Sequence, residues 1–164
     1  MSAGTQREAL PDIASSVVRG GRIRLLSNKG DDWLGSNAIL GEALERLRNE
    51  GTRFDLRTIL LHIDSPWLKR DGLRFLNKTR QQVIEEFSAA HIAVEQWSRE
   101  RDCPVPRYHR HYPAWRFLQT EQDLFISTYV TNAQIAAEHV LRFAPESPNL
   151  SVGQPVFRFY IREL

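Results

Sequence analysis

The chain has 164 residues with 26% charged and 41% hydrophobic side chains, the composition of one soluble globular domain large enough to bury a single core. Twenty-two Lys and Arg against 20 Asp and Glu leave a formal charge of +2, too small for wholesale nucleic-acid binding, so any anion preference must come from local clustering. Cys103 is the single cysteine, which excludes an internal disulfide and favours a reducing compartment. The first residues, Met-Ser-Ala-Gly-Thr-Gln-Arg-Glu, lack the apolar core of a signal peptide, and no later run is long enough to span a bilayer. A cytoplasmic location is the expectation.

In chain order, residues 7 to 19 suit a short helix broken by Gly20-Gly21, and Arg22 to Ser27 reads as a strand entering the core. Asn28-Lys-Gly-Asp-Asp is turn chemistry, with Gly30 free to take positive φ. Ser36 is the expected N-cap of a helix reaching about Asn49, and Gly51 is its stop. Ile39, Leu40, Ala43, Leu44 and Leu47 give that helix one apolar stripe. Phe54 to Ile63 is a second strand, continuously apolar at Ile59-Leu-Leu as in a strand covered on both faces. Strand, helix and strand within about forty residues make a βαβ unit and predict an α/β fold containing a parallel pair.

Asp64-Ser-Pro-Trp closes the second strand. Thr79-Arg-Gln-Gln82 is a capping box heading a long helix whose buried stripe is Val83, Phe87, Ala90, Val94 and Trp97. Arg99-Glu-Arg-Asp is its solvated end, and Pro104 and Pro106 prevent continuation. Beyond Arg107 the period becomes alternating, giving strands near 106 to 112, 114 to 119 and 123 to 130. A short helix is expected from Ala133 to Val140, a loop at 145 to 149 and a strand at 155 to 161. The reading is a single domain with an N-terminal helical extension over residues 1 to 19.

The densest anion-binding chemistry lies in Arg107-Tyr-His-Arg-His-Tyr-Pro-Ala-Trp-Arg116. An extended backbone projects Arg107, His109 and His111 from one side, and Tyr108, Arg110 and Tyr112 from the other. Arg107, His109, His111 and Arg116 together would hold a phosphate through forked arginine hydrogen bonds and tunable imidazoles. The competing reading is a solvated edge strand whose cations discourage pairing. Ser27-Asn28-Lys29 and Asp64-Ser65 follow the carboxyl ends of two strands, where open α/β sheets place ligands, although turn formation accounts equally well for Lys29 and Asp64. His109-x-His111 with His62-x-Asp64 would make a metal site only if the pairs converged. No metal and no cofactor is expected. His91 and Trp97 fall on the long helix's apolar stripe as packing residues, Trp33 and Trp67 line either a pocket or an interface, and Cys103 sits at a helix end, structural or reactive.

The order of these features resembles a single phospholipase D-like domain of the small bacterial type, over roughly residues 20 to 160. The features that carry the resemblance are the Ser27-Asn28-Lys-Gly30 turn, the Trp33-Leu34 pair, the strand ending in Asp64-Ser-Pro66, the long helix, the Pro113 turn, the hairpin from Trp115 to Tyr129 and the closing Gln154-Pro-Val-Phe-Arg158. Active members carry H-x-K-x-x-x-x-D, with the histidine as nucleophile and the lysine on the phosphate. From His111 the lysine position is Pro113; from His109 it is His111, and the aspartate position is Arg116. Placing the aspartate at Gln119 or Thr120 puts the histidine at Tyr112 or Pro113, so no register restores the set. The resemblance therefore implies a mixed sheet flanked by helices, a homodimer sharing a cleft, and a degenerate domain that binds a phosphate-bearing or nucleotide-like ligand, or a partner protein, in regulation or sensing. The ligand set expected is Arg107, Arg110, Arg116, Ser27, Asn28, Lys29, Asp64 and Tyr129. The alternatives are a divergent phosphodiesterase, nuclease or phospholipase in type, using His109 or His111 as nucleophile, and a structural subunit.

Overall fold

The computed structural model describes residues 2–18, 21–35, 38–69, 78–111, 115–128 and 139–143. In chain order the elements are β1 (Ser2–Thr5), α1 (Gln6–Val17), β2 (Gly21–Ser27), α2 (Asp31–Leu34), α3 (Ile39–Asn49), β3 (Phe54–Leu61), α4 (Pro66–Lys69), α5 (Arg80–Glu100), β4 (Arg107–His109), β5 (Trp115–Gln119), β6 (Leu124–Thr128) and β7 (His139–Phe143). The described strands form one mixed sheet in the order β1-β7-β6-β5-β2-β3-β4. β2, β3 and β4 are mutually parallel, and β5 turns antiparallel on β2. The expected α/β class, a mixed sheet flanked by helices, is what the chain adopts.

Strand pairing fixes which side chains share a face. Ile23 and Leu25 of β2, Leu56 and Leu60 of β3, Leu118 of β5 and Phe125 of β6 point to one side. There they pack with Ile13 and Val17 of α1, Trp33 and Leu34 of α2, Leu40, Leu44 and Leu47 of α3, and Val94 and Trp97 of α5. On the other side Leu26, Ile59, Leu61 and Phe117 are also buried, and Leu61 packs with Trp67, Leu68, Val83 and Phe87. β3 is apolar at consecutive positions because both of its faces are covered.

α3 starts two residues later than its sequence suggests. Ala38 is the N-cap and supplies no side-chain hydrogen bond; Ser36 lies outside the described residues. A missing cap costs roughly 1 kcal/mol. Burying the three leucines of the stripe contributes about 1.5–3 kcal/mol each, so packing rather than capping sets the helix. Gly51 ends it as expected: at φ 71° its N–H donates to the Arg48 carbonyl and the Thr52 N–H to that of Leu47. The Thr79 capping box heads α5, with both reciprocal bonds formed.

Other expectations need correction. β1 precedes α1 and pairs antiparallel with β7, which local alternation does not reveal because both partners are short and far apart in sequence. His139 and Val140 belong to strand β7, not to a helix; the rest of the expected helix from Ala133 lies outside the described residues. Arg101 is not merely solvated. Its Nε meets Glu45 at 2.6 Å and its guanidinium lies 4.9 Å from the Trp97 ring centroid, so the end of α5 is clamped to α3. The loop at 145 to 149 and the strand at 155 to 161 fall outside the described residues.

Candidate functional site: the carboxyl edge of the parallel strands

The parallel strands all end at one edge of the sheet, at Ser27, Leu61 and His109. β5 runs the opposite way with Phe117 beside Leu26, so Arg116 starts from that edge too. Ser27, Asn28, Lys29, Asp64, His109, Arg110, His111 and Arg116 are thereby ranged along one end of the fold. Arg107, at the start of β4 and level with Ile59, is exposed on the outer strand. Tyr129, Tyr112 and Pro113 lie outside the described residues.

Alternation divides these residues between the two faces. Tyr108 is level with Leu60 and lies on the α5 side, where its hydroxyl donates to Glu95 at 2.7 Å and its ring lies 4.8 Å from that of His91. Arg107 and His109 are level with Ile59 and Leu61 and take the other side. Ser27 and Arg116, in phase with Leu25 and Leu118, are on the α5 side. Arg107, His109, His111 and Arg116 therefore do not converge: three strand spacings, roughly 14 Å, and the sheet itself separate Arg116 from His109.

On the α5 side the charges are compensated. Buried Arg116 meets Asp32 at 3.2 Å, and Lys29 meets Glu86 at 2.6 Å, with Lys78 on the same carboxylate. Burial works against the Lys29 charge, but the Glu86 hydrogen bond and the fields of Asp31, Glu86 and Asp32 outweigh it and raise its pKa. Burial raises the Asp32 carboxyl, aided by Asp31 and opposed by Arg116 and Lys29. Among the described residues Lys29, Lys78 and Arg116 face Asp31, Asp32 and Glu86, three cations against three anions. Gly30, at φ 88°, lets the connection pass close under Leu60. Buried Ser27 completes this side of the edge, and the Asn28 carbonyl accepts from the Leu61 N–H at 3.1 Å.

The ends of β3 and β4 make a different cluster. The His62 N–H donates to the His109 carbonyl at 2.8 Å, extending the ladder one step past the strands. His62 Nδ1 accepts the Asp64 N–H at 3.0 Å and lies 3.9 Å from the Asp64 carboxylate. Lys69 meets that carboxylate at 3.1 Å, and its hydrogen bond, with the charges of Lys69, His62 and Arg110, holds Asp64 below the usual range. Fully buried Ser65 donates to the Arg110 carbonyl at 3.2 Å and accepts the Trp67 N–H, which fastens the chain after β4 to α4.

His109 is 4% exposed, and burial, assisted by the neighbouring His111, pushes its pKa down to about 4. The two rings stack with centroids 6.2 Å apart. Arg110 is exposed and His111 half-buried, while His109 is a neutral interior residue; Arg110 and Lys69 both act on Asp64. The pairs His109-x-His111 and His62-x-Asp64 make no metal site: among the described residues no group of three or more His, Cys, Asp or Glu could hold an ion. Sequence reasoning missed Lys69, Asp32 and Glu86. Pro66 at the first position of a helical turn was the available signal for Lys69; the other two contacts are tertiary.

No family model matches this chain, and no curated protein matches it. Solved structures do. The archaeal chromatin protein TrmBL2, described as showing a novel mode of DNA binding, aligns over 99% of this chain at 10% identity and a TM-score of 0.55. Phosphatidylserine synthase of Haemophilus influenzae Rd KW20 aligns over 91% at 11% identity and a TM-score of 0.40. The chain spans 51% of the first protein and 34% of the second. At 10% identity the likeness to TrmBL2 is one of fold, and the second likeness is too slight to carry an argument. Among the described residues no helix is long and apolar enough to cross a membrane.

Proposed function

We infer that this chain is a phospholipase D-like domain with a degenerate catalytic set that binds a phosphate-bearing ligand, in a regulatory role, at the ends of β3 and β4. The observation that carries the reading is the state of His109. A nucleophilic histidine must reach phosphorus, whereas this imidazole is 4% exposed and packed at the strand end. The outward groups beside it are Arg110, His111 and Lys69, with Asp64 as counter-charge. Arginine and lysine donors on a fixed backbone suit a phosphate held without being cleaved. On the α5 side Lys29 and Arg116 are already paired, which makes them supports of this edge. A nucleotide, a free phosphate or a nucleic-acid backbone would present the same group; TrmBL2, whose fold this chain shares over 51% of that protein, is described as binding DNA. A homodimer belongs to the same proposal.

The test is a thermal-shift panel of inorganic phosphate, ATP and a short DNA duplex against the wild type and Arg110→Ala/His111→Ala. A ligand at about a hundred times its Kd adds about 2.7 kcal/mol and moves Tm by roughly 5–10 °C. Equal shifts in the double variant, or none in either protein, would refute the site. A second reading, the divergent phosphodiesterase, is favoured by the stacked His109–His111 pair. It requires turnover of a generic phosphodiester that His109→Ala and His111→Ala both abolish.

A further inference from the structure

We propose that the opposite end of the sheet carries a second site, for a small organic anion with an apolar body. At the amino end of β3 the structure opens into a cleft of about 400 Å3 between the end of α3 and the turn after α5. That volume falls at the low end of the range of small-molecule pockets, roughly 300–1,000 Å3. Its apolar lining comes from Phe54, Leu56, Cys103 and Pro104, and its cationic lining from Arg48, Arg53 and Arg101.

The charge balance favours an anion. Of the acidic lining residues, Asp55 is taken by Arg24 at 2.8 Å and Arg57 at 3.4 Å, both outside the cleft. Arg101 is likewise taken by Glu45 at 2.6 Å and Glu100 at 3.1 Å, and forms a fixed wall against Trp97. Among the described residues Arg48, Arg53 and Asp102 are left, one positive charge in excess. The Arg48 guanidinium donates to the Glu100 carbonyl at 3.3 Å and keeps further N–H donors for a ligand. The field at the floor has the same sign: burial raises the Cys103 thiol pKa, while Arg48 and Arg101 each lower it more strongly than Asp102 raises it. The positive φ of Gly51, where an added Cβ would meet nothing within 4 Å, turns the chain so that Thr52 and Arg53 border the opening. A carboxylate or sulfonate would engage Arg48 and Arg53 while its hydrocarbon part covers Phe54 and Leu56.

This site does not rest on the phosphate reading, and Arg110→Ala/His111→Ala is expected to leave it unchanged. The probe is 8-anilinonaphthalene-1-sulfonate, titrated by fluorescence beside its uncharged analogue N-phenyl-1-naphthylamine. Cys103, the single cysteine, serves as a local reporter through its rate of alkylation by N-ethylmaleimide. The sulfonate is expected to bind at one site per chain, to slow alkylation, and to bind about a hundredfold more weakly to Arg48→Ala/Arg53→Ala, the loss set by one charge-assisted hydrogen bond from each arginine. Arg53→Gln, a single exposed change, reads the same contact if the double variant loses its fold. Undiminished alkylation at saturating probe, unchanged affinity in both variants, or equal affinity for the uncharged analogue would each overturn the proposal.

Discussion

Burying His109 as a neutral imidazole makes stability depend on pH in a direction that can be worked out in advance. Its folded pKa is about 4, while an unfolded histidine titrates near 6.5. Above about pH 6.5 both states are neutral there, and the group adds no pH dependence. As pH falls below that value the unfolded chain takes the proton first, so folding loses free energy until the folded pKa is reached. The difference between these two pKa values is worth roughly 3 kcal/mol, of which about 2 kcal/mol is lost by pH 5. Urea denaturation at pH 7 and pH 5 measures it, with His109→Gln as the non-titrating reference. His91, which burial also shifts down, contributes equally to both proteins and cancels. The expected result is that the wild type loses about 2 kcal/mol more than the variant over that interval. Parallel losses, or a His109 ring that titrates near 6.5 by NMR, would refute the interior placement and with it the argument against a nucleophile.

Two further perturbations test the frame that carries the edge. Gly30→Ala places a Cβ 2.7 Å from Leu60 Cδ2 at φ 88°, whereas Gly51→Ala at φ 71° meets nothing within 4 Å. The left-handed backbone costs each about 1–2 kcal/mol, and overpacking adds about 1–3 kcal/mol at Gly30 alone. Gly30→Ala should thus lower Tm by roughly 10 °C and Gly51→Ala by about 3–5 °C; equal losses by calorimetry would show that Leu60 yields. Thr79→Ala removes the side-chain half of the α5 capping box and should cost about 1 kcal/mol in urea denaturation. A change under a few tenths would mean that the packing of Val83 and Phe87 alone fixes the start of the helix.

Much of the fold is legible locally. The α3 stripe, the Gly51 stop, the Thr79 box and the α5 stripe use neighbours within one or two helical turns, and each is where the sequence puts it. The parallel β2–β3 pair follows from strand, helix and strand in succession. The edge where candidate ligand residues gather was legible too, since Ser27-Asn28-Lys29 and Asp64 each follow the apolar run of a strand. The pairing of β1 with β7 was not, because it joins segments far apart along the chain.

The sequence by itself determined the α/β class, the helix limits set by glycine and the capping box, and the concentration of cations between Arg107 and Arg116. Tertiary structure alone decided where those cations sit. Sheet order places Arg116 three strands from His109, and register sends them to opposite faces. Asp32 and Glu86 then take Arg116 and Lys29, Asp64 takes Lys69, and Arg110 stays exposed. Local pattern carries propensity and alternation, which reach a few residues; charge pairing and burial act through space, so Arg107, His109, Arg110 and Arg116 reach their different settings only when the sheet forms.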